Sequence, residues 1–224
     1  MPHTSRSLRW SFLVFPLAGF ASALFTVCVS GTILGHANAL SRLDRILWAV
    51  LGRANLFGSL TFGFLIGSCF WVFFGLRSIS KAVLFALVSV IAAFLSLGSG
   101  LLFVGSLGDD PRFLPELCIG GYVGAFVILL AASLLVPSKP RLLHSLLKSL
   151  YWALAGGILA GTAILAAPEF HGLRMRLDPG VNDQDISLFL VWQTGMALIL
   201  AVLLWTERKN LWDGAAETPT VGKD

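Results

Sequence analysis

Between Ala167 and Ser187 the sequence APEFHGLRMRLDPGVNDQDIS gathers Glu169, His171, Arg174 and Arg176. A carboxylate and an imidazole in one short stretch can act as an acid-base pair, and guanidinium groups can clasp a phosphate through their planar fork. The same stretch holds Asp178, Asn182, Asp183 and Asp185, the oxygen ligands of a calcium loop. Their spacing is not that of an EF-hand, and no glutamate follows at the bidentate position. Two readings stay open. His171, Arg174 and Arg176 contact lipid headgroups, with His171 and Glu169 serving a lipid-modifying enzyme at the outer interface, or the stretch is a solvated connector.

A second chemical feature is a glutamine in hydrocarbon, in the run SLFLVWQTGMALILAVLLW. The amide of Gln193 has two donors and two acceptor lone pairs, and leaving them unpaired in lipid costs several kcal/mol. It must therefore face a neighbouring helix, a free carbonyl or a wet cavity. Candidate partners are Thr162, Ser59 and Ser96, together with carbonyls freed near glycines. Interhelical hydrogen bonds in membranes average only about 0.6 kcal/mol, which suits glue between helices. The alternative is that Gln193, Thr194 and nearby hydroxyls line the path of an uncharged solute.

Other chemistry lacks its residues. Ser99 in LGSGL has no histidine in any expected span to activate it. No P-loop, CxxC, HExxH or dinucleotide fingerprint is present. Cys28, Cys69 and Cys118 share no close spacing and read as packing residues, so neither a metal nor a cofactor is expected.

The elements that must position these groups are membrane helices. The 224 residues are 56% hydrophobic and 12% charged, with a mean hydropathy of +0.83, and no strand-length alternation marks a barrel. The expected fold is all-α, a polytopic membrane helical bundle. Six apolar runs can cross about 30 Å of hydrocarbon: residues 10–34, 57–76, 82–105, 117–136, 151–167 and 188–205, the fifth being the shortest. They form a single domain over residues 1–206, followed by a polar C-terminal tail, 207–224. Ala37 and Ala39 would suit signal-peptidase cleavage, but the preceding apolar run is longer than a signal core and reads as a retained span.

None of the 16 basic or 12 acidic side chains, and none of the four histidines, falls within an expected span. Proton-coupled pumps, voltage sensors, intramembrane metalloproteases and bis-histidine haem sites all need such groups at membrane depth. Small residues recur there instead: Ser59, Gly63 and Gly67 in the second span, Gly120 and Gly124 in the fourth, and Ala153, Gly157 and Gly161 in the fifth. Such stripes let helix backbones approach closely, either within one chain or against another subunit.

Orientation follows from basic residues. With both termini cytoplasmic, the inner segments hold Arg6, Arg9, Arg77, Lys81, Lys139, Arg141, Lys148, Arg208 and Lys209, and the outer loops hold Arg42, Arg45, Arg53, Arg112, Arg174 and Arg176. Outside the C-terminal tail, every carboxylate falls on the outer side. The arginine-rich first outer loop reads as an interfacial amphipathic helix over residues 41–53, with Leu40, Leu43, Ile46, Leu47, Val50 and Leu51 on one side and Arg42, Arg45 and Arg53 placed to meet headgroups. Trp10, Trp48, Trp152 and Trp205 sit where interfacial anchors belong.

These features point first to a noncatalytic subunit or scaffold of a membrane complex, and second to a channel or transporter for a neutral or weakly polar solute. The expected partners are the lipid bilayer and other membrane subunits, or further copies of the chain. The net charge of +4 is dispersed over the inner loops and termini, so nucleic acid is not expected as a partner.

Overall fold

The computed structural model describes residues 5–37, 56–74, 79–107, 114–136, 142–173 and 186–216. Among them it contains six long α-helices: α1 (Ser5–Ala37), α2 (Leu56–Phe74), α3 (Ile79–Leu107), α4 (Leu114–Leu135), α5 (Leu142–Leu165) and α6 (Thr194–Ala216). A short 3-10 turn, Ala167–Phe170, follows α5, and a π-helical turn, Leu188–Gln193, leads into α6. The described residues contain no strand, and the fold is an all-α helical bundle. The expected interfacial helix at 41–53, with Arg42, Arg45 and Arg53, lies outside the described residues, as do Arg174, Arg176 and the tail beyond Ala216.

Five helical segments are long and apolar enough to cross a membrane: Trp10–Cys28, Ile79–Ser99, Leu117–Leu135, Leu142–Leu165 and Leu188–Thr206. The shorter apolar helix is Gly58–Phe73 in α2. The fifth helix, which the sequence makes the shortest, begins at Leu142 and runs for 24 residues. Its first turns, LLHSLLKSL, mix His144 and Lys148 with leucines, so the apolar run starts later than the helix does. α6 likewise continues as helix through Ala216.

Prolines punctuate the chain. Pro168 opens the 3-10 turn that ends α5, where its missing N–H is no loss, and the amide of Glu169 donates to the Ala166 carbonyl at 3.1 Å. Pro16 sits inside α1 and removes one ladder bond, a defect that packed membrane helices tolerate.

Each helix packs on its neighbour in sequence, and α6 with its π turn closes the bundle against α1 and α5. α6 is the most enclosed: 56% of its span is buried, against 28% for those of α3 and α5. The main core is aromatic and aliphatic. Phe15 of α1 meets Phe70 of α2 at 5.6 Å between ring centroids, and Phe70 meets Phe85 of α3 edge-on at 4.8 Å. Leu129, Met196 and Leu200 complete it. A smaller cluster, Ala23, Val27, Ile186, Phe189 and Leu190, joins α1 to the π turn beneath Phe170 and Leu173.

One end of the bundle carries lysines. Where α3 begins and α4 ends, the Lys81 ammonium donates to the Leu135 carbonyl at 3.0 Å, placing a cation on a helix C-terminus. Near the start of α5, where the apolar span within α6 ends, Lys148 donates to the Thr206 hydroxyl at 3.4 Å. Phe12 stacks edge-on against Trp205 at 5.1 Å, bringing the start of α1 to the same end. Both lysines thus lie in helical turns at one end, with their ammonium groups on polar partners there.

Candidate functional site

Backbone contact is possible between these helices because small residues stand at the crossings. A side-chain carbon on Gly63 would fall 2.5 Å from the Cα of Ala86, and one on Gly67 would fall 3.0 Å from the Ala82 carbonyl, so α2 and α3 touch through their backbones. α4 uses two faces. Gly120 meets the Ser96 carbonyl of α3, and Gly121 meets Ala160 and the Gly156 carbonyl of α5. Gly157 abuts the Cys118 carbonyl, while Ser59 is half-buried and Gly161 is buried in α5. Gly19, Gly58, Gly121 and Gly156 escape a search for one period-four stripe per helix. Their signals were the doublets Gly120-Gly121 and Gly156-Gly157, and Gly19 with Ser22 and Thr26 at helical spacing on α1.

The π turn sits where α1, α5 and α6 meet. Ser187 anchors its start by donating to the Ala163 carbonyl of α5. At its end, a carbon added to Gly19 would lie 2.6 Å from the Gln193 carbonyl and 2.8 Å from Ala197, so α1 presses directly on the turn. Gly195, just beyond, faces Leu159 of α5. A π turn closes its backbone hydrogen bonds over one more residue than the α-helix does and recurs at functional sites.

Three consecutive residues at this junction carry buried polar atoms with no hydrogen-bond partner among the described residues: Trp192 Nε1, Gln193 Oε1 and Thr194 Oγ1. Gln193 is only 5% exposed. The Trp192 ring lies 6.3 Å from that of Phe62, and its Cζ2 would be 3.5 Å from a carbon added to Gly124, so glycine makes room for the indole. Each such buried, unpaired atom costs about 1–3 kcal/mol; the Ser133 and Ser149 hydroxyls are also unpaired, but they stand singly on α4 and α5, whereas the junction gathers three on consecutive residues. Elsewhere the buried hydroxyls of Thr26 and Ser89 donate to the carbonyls of Ser22 and Phe85 one turn back.

The other residues singled out from sequence are spread apart. Thr162 is exposed on α5 and donates to the Leu159 carbonyl of its own helix at 3.0 Å. Ser99 donates to the Ser96 carbonyl at 2.9 Å. Glu169 and His171 are both exposed beyond the end of α5.

Electrostatically the interior is neutral. Among the described residues, the buried polar side chains are Ser11, Ser22, Thr26, Ser89, Ser133, Ser145, Ser149, Ser187 and Gln193, with no Asp, Glu, Lys, Arg or His among them. No three His, Cys, Asp or Glu side chains come together among them. The arrangement can pack helices and can hydrogen-bond an uncharged group at residues 192–194. No family model matches the sequence, and neither the curated proteins nor the solved structures contain a match to it. Architecture and site define the class alone: an α-helical membrane protein with a neutral polar junction at the foot of its most enclosed helix.

Proposed function

We propose that this chain is a noncatalytic, multi-pass subunit or scaffold of a membrane complex, with both termini on the cytoplasmic side. The observation that carries the reading is the neutral interior. Small residues and hydroxyls bring backbones together there, and no Asp, Glu, Lys, Arg or His side chain is buried among the described residues. Such a bundle supplies shape to its surroundings. The basic end formed by the starts of α3 and α5, the end of α4 and the end of the apolar span in α6 supports the orientation, since lysines are retained on the cytoplasmic side.

The faces that remain for lipid or a partner subunit are the apolar outer surfaces of α3 and α5, such as Leu84, Leu87 and Ile91, and Leu147, Leu154 and Ile158. A photoreactive amino acid at position 147, 154 or 158, activated in intact native membranes, should give a discrete protein adduct of defined mass. The same probe in the purified chain reconstituted alone should label lipid, or a second copy if the scaffold is homo-oligomeric. Liposomes holding only this chain and showing saturable flux of an uncharged solute would overturn the reading.

A further inference from the structure

We infer that the π-to-α junction is a binding site for a small uncharged molecule carrying a carbonyl beside an N–H or O–H group, held by Trp192 Nε1 as donor and Gln193 Oε1 as acceptor. The inference does not depend on the subunit reading, because a scaffold and a solute carrier can both hold such a guest.

Two atoms of opposite hydrogen-bonding sense stand on consecutive residues, both buried and both without a protein partner. Gln193 is only 5% exposed and its amide oxygen is buried, so bulk solvent does not serve it. The donor and acceptor do not satisfy one another, since consecutive side chains on a helical turn diverge by roughly 80–100°. A guest bridging them must offer an acceptor to the indole and a donor to the amide, the pairing that an amide, a urea or a hydroxyketone provides. The guest must be small and flat, because the junction is closely packed: the Phe62 ring lies 6.3 Å from the indole, and a carbon added to Gly19 or Gly124 would meet the Gln193 backbone carbonyl at 2.6 Å or the indole at 3.5 Å. A charged guest is disfavoured, because no Asp, Glu, Lys, Arg or His side chain is buried among the described residues to compensate it.

The test uses the full chain in lipid nanodiscs with its tryptophans labelled at the indole nitrogen, Trp192→Phe identifying the resonance of residue 192. Acetamide, N-methylurea and benzamide are titrated as probes, and toluene serves as the apolar match of benzamide. At least one amide or urea should shift the Trp192 N–H resonance saturably while toluene does not, and Gln193→Leu should weaken that response tenfold or more. No saturable shift with any of the three probes overturns the proposal. An equal shift with toluene, which reports simple partitioning, and a response unchanged in Gln193→Leu overturn it as well. If either variant fails to fold, saturable thermal stabilisation of the unaltered chain by benzamide, absent with toluene, takes the place of that readout, and its absence counts against the site.

Discussion

Replacing Gly63 by alanine tests the close approach of α2 and α3 with a single carbon. That carbon would lie 2.5 Å from the Cα of Ala86, where ordinary contact begins at 3.4 Å, so the helices must part by about 1 Å. The obstacle is backbone, which no rotamer change removes. A gap of that size forfeits a quarter to a half of each dispersion contact along the crossing, and overpacking of this kind costs about 1–3 kcal/mol. Alanine's better helix propensity returns up to about 1 kcal/mol, leaving a net loss of about 1–2 kcal/mol. The structure supplies graded controls. A carbon on Gly67 meets Ala82 at 3.0–3.3 Å, so Gly67→Ala should fall near balance. Gly98 of α3 has nothing within 4 Å, so Gly98→Ala should gain about 0.5–1 kcal/mol. Unfolding by SDS titration, followed with a thiol-reactive dye in a background retaining only the buried Cys69, reads all three on one scale. Gly63→Ala proving as stable as Gly98→Ala would refute the α2–α3 backbone contact.

Reporter fusions at the two termini should register on the same side of the membrane, since six crossings return the chain to its starting face; opposite sides would mean that the shorter helix Gly58–Phe73 does not cross. Lys81→Met removes the donor to the Leu135 carbonyl and should cost about 1 kcal/mol in the same unfolding assay, while Lys81→Arg should retain most of it. In native membranes a lipid-soluble maleimide should modify the exposed Cys28 well before the buried Cys69, and equal rates would contradict the placement of α2 in the core.

The helices were legible in the sequence for a physical reason. In hydrocarbon every backbone group must be paired internally, so each uninterrupted apolar run has one structure open to it. Their ends were less so. α5 starts at Leu142, inside a stretch whose His144 and Lys148 interrupt the apolar run, because Lys148 reaches a polar partner, Thr206, at the bundle's end. Gln193 was visible as an amide among leucines, but the direction it faces was not. The π turn shifts the phase of the helix, so a spacing of 100° per residue carried through Leu188–Gln193 misplaces every side chain beyond it. Thr162, one residue before the buried Ala163, is exposed on α5, while the backbone of Gln193 lies against Gly19 of α1.

The glycine doublets carry the same lesson to architecture. A helix with one close neighbour needs one stripe of small residues, repeating every four positions. A helix wedged between two needs a second stripe about 100° round, which in sequence is the adjacent residue. Gly120 facing Ser96 of α3 and Gly121 facing Ala160 of α5 are that arrangement, and Gly156 and Gly157 answer it from α5, against Ala125 and Cys118 of α4. A doublet of glycines at membrane depth therefore marks a helix with crowded flanks on two sides. It also fixes where bulk must go: with small residues turned inward at these crossings, the large side chains Leu147, Leu154 and Ile158 are exposed on the outer face of α5.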